Sequence, residues 1–199
     1  KTAYEIGVRL VGSEMCIRDR INVEMDTNGY IKTKNFQTSV KNIYAIGDTI
    51  MGPMLAHKAS DDGFEVLKSI FNENSTQTSL IPSCIYCQPE IASIGYTEDY
   101  LKKENIKYKK SSFPFKANGK ALAQNQVQGL CKILVNQEGK ILGAHIIGKG
   151  ATEMISEISL AMTNNLTIDK IAKTIHPHPT LSEIIHECSL ELSNIGRHI

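Results

Sequence analysis

Two histidines alternate with two prolines in His176-Pro177-His178-Pro179, and Thr180-Leu181-Ser182-Glu183 follows. This is the stretch of the chain best suited to acid–base chemistry. Proline fixes its own φ and pushes the residue before it out of the α region, so both histidines belong in extended backbone at a helix entrance. An X-Pro bond also adopts the cis form at modest cost, which aims a side chain where a trans chain could not. The Glu183 carboxylate, one turn inside the helix, can face back toward His178. Bound to one ring nitrogen, it fixes the tautomer and makes the other nitrogen a better general base. A free imidazole titrates near pH ~6.5, so a modest rise suits proton exchange with a thiol. Thr180-x-x-Glu183 is equally a capping box, and helix-start chemistry alone accounts for Glu183, with the histidines as loop residues. A metal site fits less well, because His176 and His178 tend to point the same way in an extended run and no third ligand follows at helical spacing.

A second candidate site lies in the first half. The apolar run of residues 43–46 suits a buried strand, and it ends in Gly47-Asp48, where α/β folds place ligand-binding residues and where simple turns also occur. Before it, alternating Ile21, Val23 and Met25, the turn residues 26–29 and a returning strand at 30–33 read as a hairpin. After it comes a helix with Ala59, Gly63, Val66, Leu67 and Ile70 on one face. The start of that helix, around residues 55–58, offers unpaired N–H groups and a positive dipole end. His57 there reads as a positional or packing residue.

Residues 73–79 are polar and read as a linker. Beyond them strands are expected at 80–86, 91–96, 108–115, 129–136 and 140–147, with a short helix at 98–104 capped by Thr97. Helices follow the strands, which is the order of an α+β layer. Ala151, Met154, Ile155, Ile158 and Met162 form one apolar stripe. Ile168, Ile171 and Ala172 form a second, and Leu181, Ile184, Ile185, Cys188 and Leu192 a third. Gly148-Lys149-Gly150-Ala151-Thr152-Glu153 imitates a dinucleotide fingerprint but has Glu153 at the third glycine position, so packing on the sheet is the expected use. Cys84 and Cys87 would face opposite ways on a strand and are expected as buried thiols.

With 22 basic and 21 acidic residues the net charge is +1, which offers no electrostatic case for nucleic acid or a membrane surface. No apolar run reaches transmembrane length, and residues 1–5 lack a signal-peptide core, so a soluble intracellular protein is expected. Five cysteines at irregular spacing suit a reducing compartment. Residues 11–20 show no period of 2 or 3.6 and read as translated adapter sequence, so residues 1–20 support no functional reading.

The eight residues from His176 to Glu183 resemble the active-site segment of the disulfide-reducing flavoenzymes, the class I pyridine nucleotide-disulfide oxidoreductases. In this full form the segment is similar to that of the dihydrolipoamide dehydrogenases (dihydrolipoyl dehydrogenases). Tyr44-Ala45-Ile46-Gly47-Asp48 resembles the second flavin motif of the same family. The resemblance implies an α+β chain in which residues 21–72 end an FAD/NAD-linked α/β domain and residues 80–199 form an α+β dimerisation domain, an antiparallel sheet with helices. It implies FAD as cofactor, with Gly47 and Asp48 at the ribityl chain and Met54, Leu55, Ala56 and His57 at the helix end facing the flavin's pyrimidine edge. NAD is the implied co-substrate, and dihydrolipoamide the implied reductant. That group is carried by the lipoyl-bearing acyltransferase subunit of 2-oxoacid dehydrogenase complexes or by the glycine cleavage system. His178 would accept the thiol proton, Glu183 would hold and polarise His178, and His176 would support them. An obligate homodimer and a cis His178-Pro179 bond are implied as well; no metal is expected, and a cytoplasmic or mitochondrial-matrix location fits.

The redox pair of that family, two cysteines with four residues between them, has no counterpart among these five cysteines, and the amino-terminal flavin fingerprint is missing too. The resemblance therefore implies a carboxyl-terminal fragment, inactive by itself. Other readings stay open. Glutathione reductases share His-Pro-Thr and the glutamate but match less well at His176 and at residues 181–183. Mercuric reductases end in paired cysteines, which residues 194–199 lack. A noncatalytic dimerisation module that binds no flavin is the alternative from a different class.

Overall fold

The computed structural model describes residues 21–73 and 80–193. The chain divides into two compact units, residues 1–77 and 78–199. The expectations for residues 1–20 and for most of the polar segment 73–79 lie outside the described residues.

In the first unit the hairpin is reduced to its tip. Asp26 Oδ1 accepts the N–H groups of Asn28 and Tyr30 at 2.8 and 2.9 Å, and Met25 bridges Ile31. Ile21 is helical and Asn22 has a left-handed φ of 51°, so the alternation does not extend back to Ile21 as expected. The run 43–46 is also no buried strand. Among the described residues it pairs with residues 36–38, through the bridge Gln37 to Tyr44 and the bond from Ala45 N–H to Phe36 O, and Ile46 is exposed. Among the described residues no second strand lies beside it, so no ladder forms.

Helix α1 (Ala56–Ile70) turns inward only part of the face expected, with Ala59, Gly63 and Val66 half-buried. Lys58, Asp62 and Glu65 are buried while Phe64, Leu67 and Ile70 are exposed. The polar face is tolerated because its charges are paired: Lys58 Nζ lies 2.6 Å from Asp62 Oδ2, which also accepts the Gly47 N–H at 3.1 Å.

The second unit is a five-stranded antiparallel sheet of β1 (Ser83–Ile85), β2 (Ile91–Gly95), β3 (Lys109–Pro114), β4 (Leu130–Val135) and β5 (Ile141–Ile147), in the order β1-β2-β5-β4-β3. Three short helices flank the strands or follow them: α2 (Glu98–Lys103), α3 (Gly119–Ala123) and α5 (Ile168–Lys173). Two longer helices cover the sheet: α4 (Ala151–Thr163) packs on β2 and β5, and α6 (Glu183–Leu192) packs on β3 and β4. The core lies between them, where Ile94, Phe115, Ile133 and Ile146 meet Ile155, Ile158, Ile184 and Ile185. The expected α+β architecture is thus observed, and the α4 and α6 stripes are those expected from the sequence.

Three local features differ. Helix α3 falls in a stretch with no expected element; Asn118 Oδ1 caps it by accepting the Ala121 N–H at 2.9 Å. Strand β1 is shorter than residues 80–86, and the chain leaves it through a cis bond at Gln88-Pro89. Cys87 is exposed rather than buried, with its thiol donating to Pro89 O at 3.0 Å, while Cys84 is half-buried.

Candidate active site

The His178-Pro179 bond is cis, as the resemblance implied, and the His178 ring sits against the first turn of α6. Its Nδ1 lies 2.9 Å from Glu183 Oε1. A carboxylate only accepts, so Nδ1 carries the proton and Nε2 of the neutral ring is the free acceptor. The imidazole is 77% exposed and its partner 23%, so Nε2 is open to an incoming group. The other oxygen of Glu183 accepts the Thr180 N–H at 2.8 Å. One carboxylate therefore serves both readings, one oxygen to each.

The capping box itself is incomplete. Helix α6 starts at Glu183 with Ser182 at its N-cap, and the Thr180 hydroxyl donates back to Pro177 O at 2.8 Å instead of capping. Burial pushes the Glu183 carboxyl upward, but the Thr180 and His178 hydrogen bonds and the charges of His178 and His176 outweigh it and leave it below its ordinary value.

His176 points elsewhere. Its Nε2 lies 2.9 Å from Glu157 Oε1 on α4 and its Nδ1 3.0 Å from Thr174 O, and the ring stacks on His186 at 4.4 Å. The two histidines thus do not share a direction, because each is claimed by a different carboxylate. Among the described residues no cluster of three or more His, Cys, Asp or Glu side chains could hold a metal ion.

Two members of this site were not foreseen. Asn118, buried at the start of α3, caps that helix with its oxygen and donates from Nδ2 to Thr180 O at 3.0 Å. An asparagine ahead of Gly119-Lys120-Ala121-Leu122-Ala123 was the available signal for the cap, but nothing local announces the bond to Thr180. Glu157 sits in an apolar-striped helix and gave no signal at all.

The residues expected at a flavin lie in the first unit. Gly47 is buried with φ +64°, and a Cβ there would come within 2.8 Å of the Ala59 Cβ, so only glycine lets α1 approach this turn. Asp48 beside it is exposed, as are Met54, Ala56 and His57, with Leu55 half-buried. The α1 N-terminus has no side-chain cap. An exposed carboxylate acceptor and the backbone N–H groups of a helix start fit the hydroxyls of a ribityl chain and the carbonyl edge of a pyrimidine ring.

Gly148 and Gly150 serve packing and turn geometry. A Cβ on Gly148 would overlap the Phe115 ring, and Glu90 fills the start of α4 by accepting from Thr152 Oγ1 and N at 2.7 and 3.2 Å.

Residues 81–189 match the dimerisation domain of pyridine nucleotide-disulphide oxidoreductases, and residues 4–63 match a second domain of the same name. The chain belongs to the pyridine nucleotide-disulphide oxidoreductase family. Within it, the chain is similar to dihydrolipoyl dehydrogenase of Bacillus subtilis, 45% identical over 174 residues, which cover 86% of this chain and 37% of that protein. It is also similar to mitochondrial dihydrolipoyl dehydrogenase of Bos taurus, 42% identical over 88% of this chain and 35% of that protein. The fold matches the crystal structure of LpdA from Mycobacterium tuberculosis with a TM-score of 0.81 at 24% identity, over 87% of this chain and 39% of that one. The chain spans little more than a third of the length of the curated relatives it matches.

Proposed function

We propose that these residues are the carboxyl-terminal part of an enzyme that oxidises dihydrolipoamide to lipoamide with NAD⁺. The observation that carries the reading is the His178–Glu183 pair, which leaves Nε2 of an exposed ring as its open acceptor. His178 Nε2 accepts a proton from a substrate thiol, and the resulting thiolate attacks an enzyme disulfide. The substrate dithiol loses two electrons and becomes the cyclic disulfide while the enzyme disulfide becomes a dithiol. That disulfide is supplied from outside these residues. Glu183 keeps the ring in the Nδ1–H tautomer and stabilises the imidazolium that forms.

Asp48, Gly47 and the α1 start at Met54, Leu55, Ala56 and His57 hold FAD, which when bound relays electrons between dithiol and nicotinamide. Residues 21–72 are then the end of the cofactor-binding region. The reading includes a homodimer through the second unit, a lipoyl-bearing acyltransferase partner, and a cytoplasmic or mitochondrial-matrix location. The dimerisation-domain match and the similarity to dihydrolipoyl dehydrogenases support it.

The test is NAD-linked oxidation of dihydrolipoamide by the full-length protein beside His178→Ala. The expected loss is about 10²- to 10⁴-fold in turnover with flavin absorbance retained. Turnover of glutathione disulfide in place of dihydrolipoamide would overturn the substrate assignment, and undiminished activity in the variant would overturn the role of His178.

A further inference from the structure

Three helices converge on the His176 ring. Helix α4 brings Glu157, whose Oε1 is 2.9 Å from Nε2. The end of α5 brings the Thr174 carbonyl, 3.0 Å from Nδ1. Helix α6 brings His186, stacked at 4.4 Å with 15° between the planes and itself anchored by Nε2 donating to Ala172 O at 3.0 Å. A carbonyl oxygen cannot donate, so Nδ1 must carry a proton; a carboxylate cannot donate either, so Nε2 must carry one as well. The His176 side chain is 5% exposed, so water is not there to replace either partner. The donor–acceptor pattern is complete only for the imidazolium.

We propose that His176 is a positioning residue for His178 and Glu183: a fixed, doubly protonated ring that pins the residue before Pro177 to α4 and adds a positive charge to the site. Pro177 is the only residue between the two histidines and its φ is fixed, so the pinned ring limits where His178 can sit. The electrostatics agree. The Glu157 hydrogen bond raises the His176 pKa, against the opposing effect of burial, and the charges of Glu157 and Glu183 raise it further. The His176 charge in turn helps to lower Glu183. The titratable groups that act on His176 are Glu157 from α4 and Glu183 from α6 through their charges, and His186 from α6 through ring contact.

The proposal rests on the role proposed for His178, but its first test does not use activity. In protein labelled with ¹⁵N at histidine, both His176 nitrogens are expected to show protonated-imidazolium shifts at pH 7.5, where an ordinary imidazole of pKa ~6.5 is about nine-tenths neutral. A neutral His176 at that pH overturns the proposal. In Glu157→Gln the ring is expected to become neutral at pH 7.5 and the ¹³C titration of the Glu183 carboxyl to move upward. An unmoved Glu183 titration overturns the proposal equally.

In the full-length enzyme, His176→Gln keeps a donor for Glu157 but loses the charge. It is expected to lower kcat by roughly tenfold with little change in KM, and to shift the acid limb of the pH profile upward. A proportional loss at every pH would mark a merely structural role and overturn the proposal. Should His178→Ala remain active, the functional reading fails while the ¹⁵N result still reports on His176.

Discussion

At the scale of single residues, Glu183 is the side chain on which two demands meet. It fixes the His178 tautomer with one oxygen and the Thr180 backbone with the other. Glu183→Gln keeps both acceptors only if its single carbonyl oxygen could face both donors at once, which it cannot. The variant is expected to lose about 10²-fold in kcat/KM for dihydrolipoamide in the full-length enzyme. Steady-state kinetics check this, and activity within threefold of the parent would remove Glu183 from the mechanism. The same residue makes a stability prediction with a definite sign. Its folded carboxyl titrates below the ordinary 4.5, so its contribution is present above pH 4.5 and is lost as pH falls through the folded value. Urea unfolding of parent and Glu183→Gln should therefore differ most above pH 4.5 and converge as the pH falls below it.

At the scale of elements, close approach and charge decide how the second unit is fastened. Gly148 follows β5 with φ +151°, and a Cβ there would enter the ring of the fully buried Phe115. Gly148→Ala is expected to cost about 3 kcal/mol, from overpacking and from a backbone conformation alanine resists. Denaturant unfolding measures it, and a loss under 1 kcal/mol would mean the ring moves freely.

Glu98 at the start of α2 ties that helix to its neighbours. It accepts from Tyr108 Oη at 2.9 Å, and Lys110 on β3, Lys132 on β4 and Lys102 lie 3.0, 3.3 and 3.4 Å away. The Lys110 and Tyr108 hydrogen bonds lead in holding its carboxyl down to about 2. Its contribution is full above pH 4.5 and disappears between 4.5 and about 2. Glu98→Gln should flatten that limb of the stability–pH curve, and high salt should do so in part, because the network is at the surface.

For the molecule as a whole, the most exposed large apolar side chains described in the second unit are Ile175, 95% exposed, and Tyr86, 84% exposed. Isolated exposed apolar residues are ordinary, but these belong to a domain whose family match is a dimerisation domain. Burying one isoleucine is worth about 2 kcal/mol, and two-fold symmetry counts it twice, so Ile175→Glu is expected to weaken self-association roughly a thousandfold. Sedimentation equilibrium would show it. A parent that sediments as a single 22.0 kDa chain at micromolar concentration, or a variant that dimerises unchanged, would exclude Ile175 from the interface.

What the sequence determined by itself are the features set by neighbours along the chain. The strands of the sheet, the apolar stripes of α4 and α6, the Thr97 cap and the constrained His-Pro-His-Pro segment all follow from periodicities and φ limits acting within a few residues. Tertiary structure decided which partner each polar group takes. That His176 turns to Glu157, 19 residues earlier, that Asn118 holds Thr180 across 62 residues, and that α1 buries Lys58, Asp62 and Glu65 while Leu67 and Ile70 stay exposed depend on groups brought together only by folding. A hydrogen-bonding group that leaves water must find a complement wherever the packed chain supplies one, and no local pattern records where that will be.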